Sequence, residues 1–320
     1  MRHIDVFNGD ADGICALLQL RNANPVQSTL VTGVKRDIKL LSRVTAALGD
    51  QVTVLDISLD TNCEGLEYVL EQGADVSYFD HHFAGDDEFI HPNLSATINT
   101  ASDCCTSSLV NLHLNGAFQH WAIVGAYGDN LKQVGDVLSQ SSGLNEAQKQ
   151  QLEDLGIYMN YNGYGATIED LHFAPDDLFS RMKGFASPFE FFEEGKSTFE
   201  KLEQGYLQDM SRAEQTIPMH TTQSSAAFML PDAAWARRVS GVYGNSLANQ
   251  SPDHAHAVFT QKTNGNYLVS VRAPLNNKTG ADQICRQFPS GGGRKAAAGI
   301  NDLPEDQLQH FFDTLDAFYA

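Results

Sequence analysis

Val76-Ser77-Tyr78-Phe79-Asp80-His81-His82 joins a short apolar run to three side chains that can hold a metal or a proton. Gly73 and Gly85 bound the segment, and it reads as a buried strand. Ionised carboxylates and imidazoles sit at a core edge only when they are paired, hydrogen-bonded or bound to metal. A solvated turn of the same composition is the competing reading, and the other strand ends decide between them.

Asp10-Ala11-Asp12-Gly13 follows Ile4-Asp5-Val6-Phe7, and Asp56 follows Val52-Thr53-Val54-Leu55. Each of these β-rich runs ends in an acidic residue and leads into a helix-like pattern. That alternation predicts an α/β layer with a mainly parallel sheet. In an open parallel sheet, ligands bind outside the carboxyl ends of the strands. With the strands as neighbours, most of Asp10, Asp12, Asp56, Asp80, His81 and His82 fall within reach of one small volume. Carboxylates that close repel unless cations sit among them. Oxygen ligands with some imidazole favour Mn²⁺ or Mg²⁺ over thiolate-seeking metals.

The 320 residues allow one large or two ordinary domains, and 42% hydrophobic residues suffice for a core. No run reaches the ~18 apolar residues of a membrane helix. Met1-Arg2-His3-Ile4-Asp5 enters a strand-like run without a signal-peptide pattern. Five cysteines without framework spacing fit a reducing compartment, and the cytoplasm is the expected location. Adjacent Cys104 and Cys105 read as helix-packing residues. The net charge of −19 opposes a grip on long nucleic acid and favours a small substrate recognised locally.

Further along the chain, Leu30 and its neighbours to Val34 predict a second strand. Asp37 predicts the cap of a helix over residues 37–48, ended by Gly49. Residues 60–73 repeat the helical pattern, 96–99 read as a strand, and 104–115 as a helix. Trp121-Ala122-Ile123-Val124-Gly125-Ala126-Tyr127-Gly128-Asp129 is a compact apolar segment ending in an acid. Its small residues would let it pack closely beneath a metal site. Residues 144–160 read as helix, 158–164 as loop and 193–212 as one connecting helix. The boundary between domains is expected near 195–220: residues 1–195 form the first domain, 196–220 a linker and 221–320 the second.

The last hundred residues change character. Residues 255–262 and 266–272 alternate apolar and polar side chains across Thr263-Asn264-Gly265, a hairpin signal. Residues 281–288 read as a helix and residues 303–319 as a terminal one. Between them, Gly291-Gly292-Gly293-Arg294-Lys295 reads as a loop whose backbone can approach an anion. Two cations, with Arg272 at a strand end, complement a phosphate.

Asp10-Ala11-Asp12-Gly13, Asp56, Asp80-His81-His82, Asp129 and Gly291-Gly292-Gly293-Arg294-Lys295-Ala296-Ala297-Ala298-Gly299 stand in the order of the DHH–DHHA1 phosphoesterases, which the chain resembles. That group includes RecJ-like exonucleases, nanoRNases and dinucleotide phosphodiesterases. The resemblance implies an N-terminal parallel-sheet DHH domain with helices on both faces, joined by a helix to a smaller C-terminal α/β DHHA1 domain. It also implies two metal ions, usually Mn²⁺, with Mg²⁺ as an alternative. Asp10, Asp56 and Asp129 would serve one ion. Asp12, Asp56 and His81 would serve the other, with Asp56 bridging. His82 would contact the scissile phosphate, and Asp80 would orient a histidine. Arg272 and residues 291–295 would hold the substrate's phosphate, with the active site in the cleft between the domains.

The chain departs from the pattern in places. Val6 stands where several dinucleotide phosphodiesterases have a metal-binding His. Asn8 stands where RecJ-like members have an Asp, and is a candidate extra ligand. Arg294 replaces the usual His after the glycines, which suits a terminal phosphate. The expected activity is metal-dependent hydrolysis of linear 5′-phosphorylated dinucleotides, such as pGpG, or very short oligoribonucleotides. Phosphatase action on 3′,5′-bisphosphate nucleotides, RecJ-like exonuclease action and a non-catalytic nucleotide-binding role are the alternatives. The expected partner is the short nucleotide, without long nucleic acid or membrane, and a homodimer stays open.

Overall fold

The computed structural model describes residues 1–86 and 89–320 and separates into compact units Met1–Gln204 and Gly205–Ala320. The first contains β1 (His3–Phe7), α1 (Ala11–Ala23), β2 (Ser28–Val31), β3 (Gln51–Leu55), α2 (Leu59–Glu71), β4 (Asp75–Asp80) and β5 (Leu94–Ile98). It continues through α3 (Thr106–His113), α4 (Gln119–Gly128), α5 (Lys132–Ser141), α6 (Glu146–Gly163), α7 (Pro175–Met182) and α8 (Pro188–Glu194). The next helix, α9 (Lys196–Glu214), carries the chain into the second unit.

Alternation decides the two faces of the first sheet. Ile4, Val6, Val52, Val54, Val76 and Tyr78 point to one side and pack on Leu66, Val69 and Leu70 of α2. Phe7 points to the other side and meets Phe179 of α7. Burying each such side chain contributes about 1.5–3 kcal/mol. The strand order is β2-β1-β3-β4-β5, and every pairing is parallel. In this order the chain reverses direction across the sheet between β1 and β3, the place where an open α/β sheet leaves a crevice. The α4 helix is apolar all round and buried from Trp121 to Gly128, as such a pattern requires.

The second unit contains β6 (Pro218–Thr221), β7 (Ser225–Leu230), α10 (Ala234–Gln250), β8 (Ala255–Gln261), β9 (Tyr267–Arg272), α11 (Ala281–Cys285), β10 (Gly291–Gly293), β11 (Ala297–Leu303) and α12 (Leu308–Tyr319). Its sheet order is β10-β11-β9-β8-β7-β6. Only β7 and β8 pair in parallel, because α10 provides the crossover between them. Phe259, Val269, Val271, Ile284, Phe311 and Leu315 form the core beneath. The Thr263-Asn264-Gly265 turn joins β8 to β9 as the sequence predicts, with Gly265 at φ +84°.

Several expected elements differ. Residues 37–48 contain only a 3₁₀ turn, Leu41–Arg43. The Asn62 side chain accepts from the Leu41 N–H at 3.2 Å and donates to the Ile38 carbonyl at 2.7 Å, taking groups that a helix pairs internally. Residues 158–164 are not a loop but the end of α6, because burial of Tyr158, Met159 and Tyr161 outweighs weak helix propensity. Residues 193–212 are broken at Gly195, where a Cβ would lie 2.3 Å from the Phe191 ring. The glycine triplet is an edge strand rather than a loop, since Gly291 to Gly293 pair with Ile300 to Ala298.

Candidate metal centre

Asp10 ends β1 and caps α1. Its Oδ1 accepts from the N–H groups of Asp12 at 3.0 Å and Gly13 at 3.1 Å. Asn8 braces this turn, accepting from the Asp10 N–H at 3.2 Å and donating to the Lys35 carbonyl at 3.2 Å. Both groups of its amide are therefore engaged by backbone. A Cβ at Gly13 would lie 2.3 Å from the Asn8 carbonyl oxygen, so the turn needs glycine there.

Asp12 points across to α3. Its two oxygens accept from the N–H groups of Thr106 and Ser107, each at 2.7 Å. These are orphan donors of a helix N-terminus, where a carboxylate is favoured. Ser107 Oγ also donates to the Asp12 carbonyl at 2.8 Å. Gly125 of α4 makes room for this junction: a Cβ there would lie 2.2 Å from Ser107 Oγ and 3.3 Å from Asp12 Oδ1. Small residues thus bring α4 close beneath the centre, as its composition indicates.

Asp56 ends β3 in a left-handed conformation, φ +60°, which costs a non-glycine residue about 1 kcal/mol or more. Its N–H donates to the Phe79 carbonyl at 3.0 Å, and its Oδ1 accepts from Thr106 Oγ1 at 3.0 Å. Burial, then Asp12 and Asp10, push the Asp56 carboxyl well above the usual range. Asp129 follows α4, and its Oδ2 is buried without a hydrogen-bond partner. Burial raises its carboxyl too, against the pull of Lys35 and His81.

His81 places Nε2 3.4 Å from Asp56 Oδ1, 3.7 Å from Asp129 Oδ2 and 4.0 Å from Asp12 Oδ2. Burial opposes its protonation, but these carboxylates win and raise it to about 10. His82 has Nδ1 2.7 Å from Asp80 Oδ1, and its side chain is 35% exposed where the neighbouring carboxylates are closed. Asp12, His81 and Asp129, and likewise Asp56, His81 and His82, bring ligand atoms within 4.8 Å of one another. A divalent cation fits this set: the donors are oxygen and imidazole, one buried carboxylate oxygen is orphaned, and Asp56 is destabilised as an anion.

Lys35 stands at the opposite side. Its Nζ donates to Asp10 Oδ2 and, at 2.9 Å, to Asn160 Oδ1. Burial would lower the ammonium's affinity for its proton, but Asp10, Tyr164 and Asp129 hold it above the ordinary value. Burial would likewise raise Asp10, but Lys35 outweighs it and keeps that carboxyl below the usual range. Lys35, Asn160, Thr106 and Ser107 are not marked in the sequence reading. Lys35 could have been found, because it directly follows the second strand-like run at the same sheet edge. Asn160 lies mid-helix and carries no signal.

The second unit holds the remaining expected residues. Arg272 Nε donates to Asn245 Oδ1 at 2.7 Å, and its other nitrogens reach the Val271 and Gly241 carbonyls. A Cβ at Gly291 would lie 1.7 Å from the Cys285 carbonyl oxygen, and at Gly293 2.5 Å from the Ala298 Cα. Gly292 has open space instead. Arg294 and Lys295 are exposed, and neither side chain has an ion-pair or hydrogen-bond partner among the described residues.

A DHHA1 domain family model matches residues 223–320. The whole chain superposes on Mn²⁺-bound RecJ from Thermus thermophilus with TM-score 0.66 and 16% identity, covering 99% of this chain and 52% of that one. A second manganese-bound exonuclease RecJ gives TM-score 0.58 and 15% identity, over 99% of this chain and 90% of that chain. The chain has the DHH–DHHA1 fold. The pGpG-specific phosphodiesterase PggH from Vibrio cholerae is similar over 100% of this chain and 99% of its own, with TM-score 0.57 and 14% identity. The chain therefore spans about half the length of the Thermus thermophilus RecJ but nearly all of PggH. No curated protein matches at the sequence level. In the first unit the strand-end acids and histidines converge; in the DHHA1 region, the turn after β10 carries the cations Arg294 and Lys295. Among the described residues no helix is long and apolar enough to cross a membrane.

Proposed function

We propose that this chain is a metal-dependent phosphodiesterase that hydrolyses 5′-phosphorylated dinucleotides or very short oligoribonucleotides to mononucleotides. The observation that carries the reading is the convergence of Asp12, Asp56, His81 and Asp129 at the strand ends, with the more open His82 beside them. Asp12, Asp56, His81 and Asp129 would hold the divalent cation. When bound, the cation supplies charge neutralisation and lowers the pKa of an attacking water.

The protein's own groups do the rest. Asp80 accepts from His82 Nδ1 and fixes the ring, so His82 Nε2 faces outward. With Nδ1 donating, that nitrogen is the one left to exchange a proton with an attacking water or the leaving group. Thr106 and Ser107 hold Asp12 and Asp56 in place through hydrogen bonds. Arg294 and Lys295, next to open Gly292, suit a terminal phosphate. The net charge of −19 disfavours longer chains. The similarity to PggH and to RecJ supports phosphodiester hydrolysis.

The test is product analysis with Mn²⁺, with and without EDTA. The substrates are a 5′-phosphorylated diribonucleotide, a pentanucleotide, a cyclic dinucleotide and adenosine 3′,5′-bisphosphate. Mononucleotides from the dimer, lost with EDTA and in Asp56→Asn, are expected. Preference for the pentanucleotide would move the assignment to an exonuclease, and phosphate release from the bisphosphate alone to a phosphatase. No turnover of any substrate would overturn it.

A further inference from the structure

We infer that Lys35 is a built-in cation of the centre, so that one exchangeable divalent ion, rather than two, completes it. Both oxygens of the Asp10 carboxylate are already engaged. Oδ1 caps α1 through the N–H groups of Asp12 and Gly13, and Oδ2 accepts from Lys35 Nζ. Asp129 Oδ1 lies 4.0 Å from the same nitrogen, an ion-pair distance. A cation thus already bridges Asp10 and Asp129, where the two-ion scheme would place a metal between them.

The lysine is held from several directions. Its N–H donates to the Gly163 carbonyl at 2.9 Å and its own carbonyl accepts from Asn8. Its ammonium donates to Asn160 and lies 5.4 Å from the centre of the Tyr164 ring. Asn160, Gly163 and Tyr164 belong to the end of α6, so that helix end positions the ammonium. Val6 and Asn8 agree with this arrangement. Val6 offers no ligand, and the Asn8 amide is consumed by backbone. The other half of the centre has the opposite character: His81 Nε2 faces Asp12, Asp56 and Asp129, and Asp129 Oδ2 has no partner. One divalent ion fits there. The ammonium supplies a fixed charge and hydrogen-bond donors, but no exchangeable coordination position.

This inference refines the hydrolase reading, and metal stoichiometry tests it apart from activity. The full chain is stripped of metal and titrated with Mn²⁺, following heat by calorimetry and free Mn²⁺ by electron paramagnetic resonance. One Mn²⁺ per chain is expected for the wild type and two for Lys35→Gln, with the second at Asp10 and Asp129. Asp10→Asn, which keeps the helix cap, is expected to retain one Mn²⁺ with affinity changed less than about fivefold, below the roughly 10–100-fold loss that follows disturbance of a ligand's support. Two Mn²⁺ in the wild type, or loss of Mn²⁺ in Asp10→Asn, would overturn the role of Lys35 while leaving the hydrolase reading intact. One Mn²⁺ in a folded Lys35→Gln would overturn it too. No Mn²⁺ in any form would overturn both.

Discussion

The carbonyl oxygen of Cys104 lies 2.9 Å from Nδ1 of His81. A carbonyl only accepts, so Nδ1 carries the hydrogen and Nε2 is left to face Asp12, Asp56 and Asp129. The loop before α3 thereby sets the tautomer a metal needs. His81→Ala is expected to weaken Mn²⁺ binding by at least the upper end of the roughly 10–100-fold that a perturbed supporting contact costs. Calorimetric titration checks this, and unchanged affinity would remove His81 from the centre.

Gly125 separates packing from chemistry. Gly125→Ala places a methyl group 2.2 Å from Ser107 Oγ and forces α3 away from Asp12. A loss of about 1–3 kcal/mol is expected, with weaker Mn²⁺ binding. Ser107→Gly should recover part of the loss in the double variant, because the two residues share one contact. Additive losses in urea unfolding would show that the clash is relieved elsewhere.

The glycines of β10 are not equivalent. Gly291→Ala meets the Cys285 carbonyl oxygen at 1.7 Å and should lower Tm by several degrees, a loss of about 1–3 kcal/mol. Gly292→Ala meets nothing within 4 Å and should leave Tm unchanged while raising KM for a 5′-phosphorylated dimer. Wild-type KM in Gly292→Ala would mean that phosphate does not approach this backbone. Arg294→Ala should raise KM with little change in kcat, and the effect should shrink as salt rises.

His256 gives the second unit an acid sensitivity. It is buried, its Nδ1 has no hydrogen-bond partner, and burial with nearby His254 lowers it to about 4. Unfolded histidine titrates near about 6.5, so between those values the unfolded chain binds more protons and stability falls as pH falls. About 2 kcal/mol is expected to be lost as pH falls from about 6.5 to about 4. His256→Gln should flatten that part of the urea-midpoint profile. An identical slope in both proteins would exclude His256 as its origin.

Much of the centre can be read along the chain because strand ends are local events. A short apolar run followed by Asp10, Asp56 or Asp80-His81-His82 announces a polar group at a core edge, and parallel alternation places those edges together. The hairpin around Gly265 is equally local. The failures have the opposite cause. Asn62 dissolves the helix expected at 37–48 from another element, and burial extends α6 through residues of weak propensity.

The α/β alternation, the strand-end acids and histidines, and the cation-bearing turn after Gly293 are written in the order of residues alone. They follow from side-chain period and backbone chemistry within a few positions. The fixing of Asp12 by Thr106 and Ser107, the pairing of Asp10 with Lys35, and the share that Asn160 takes of that ammonium emerge only once the chain is folded. The two contacts of Lys35 join segments 25 and 125 residues apart. No local pattern encodes them, because which polar groups meet depends on how α3 and α6 pack against the sheet edge.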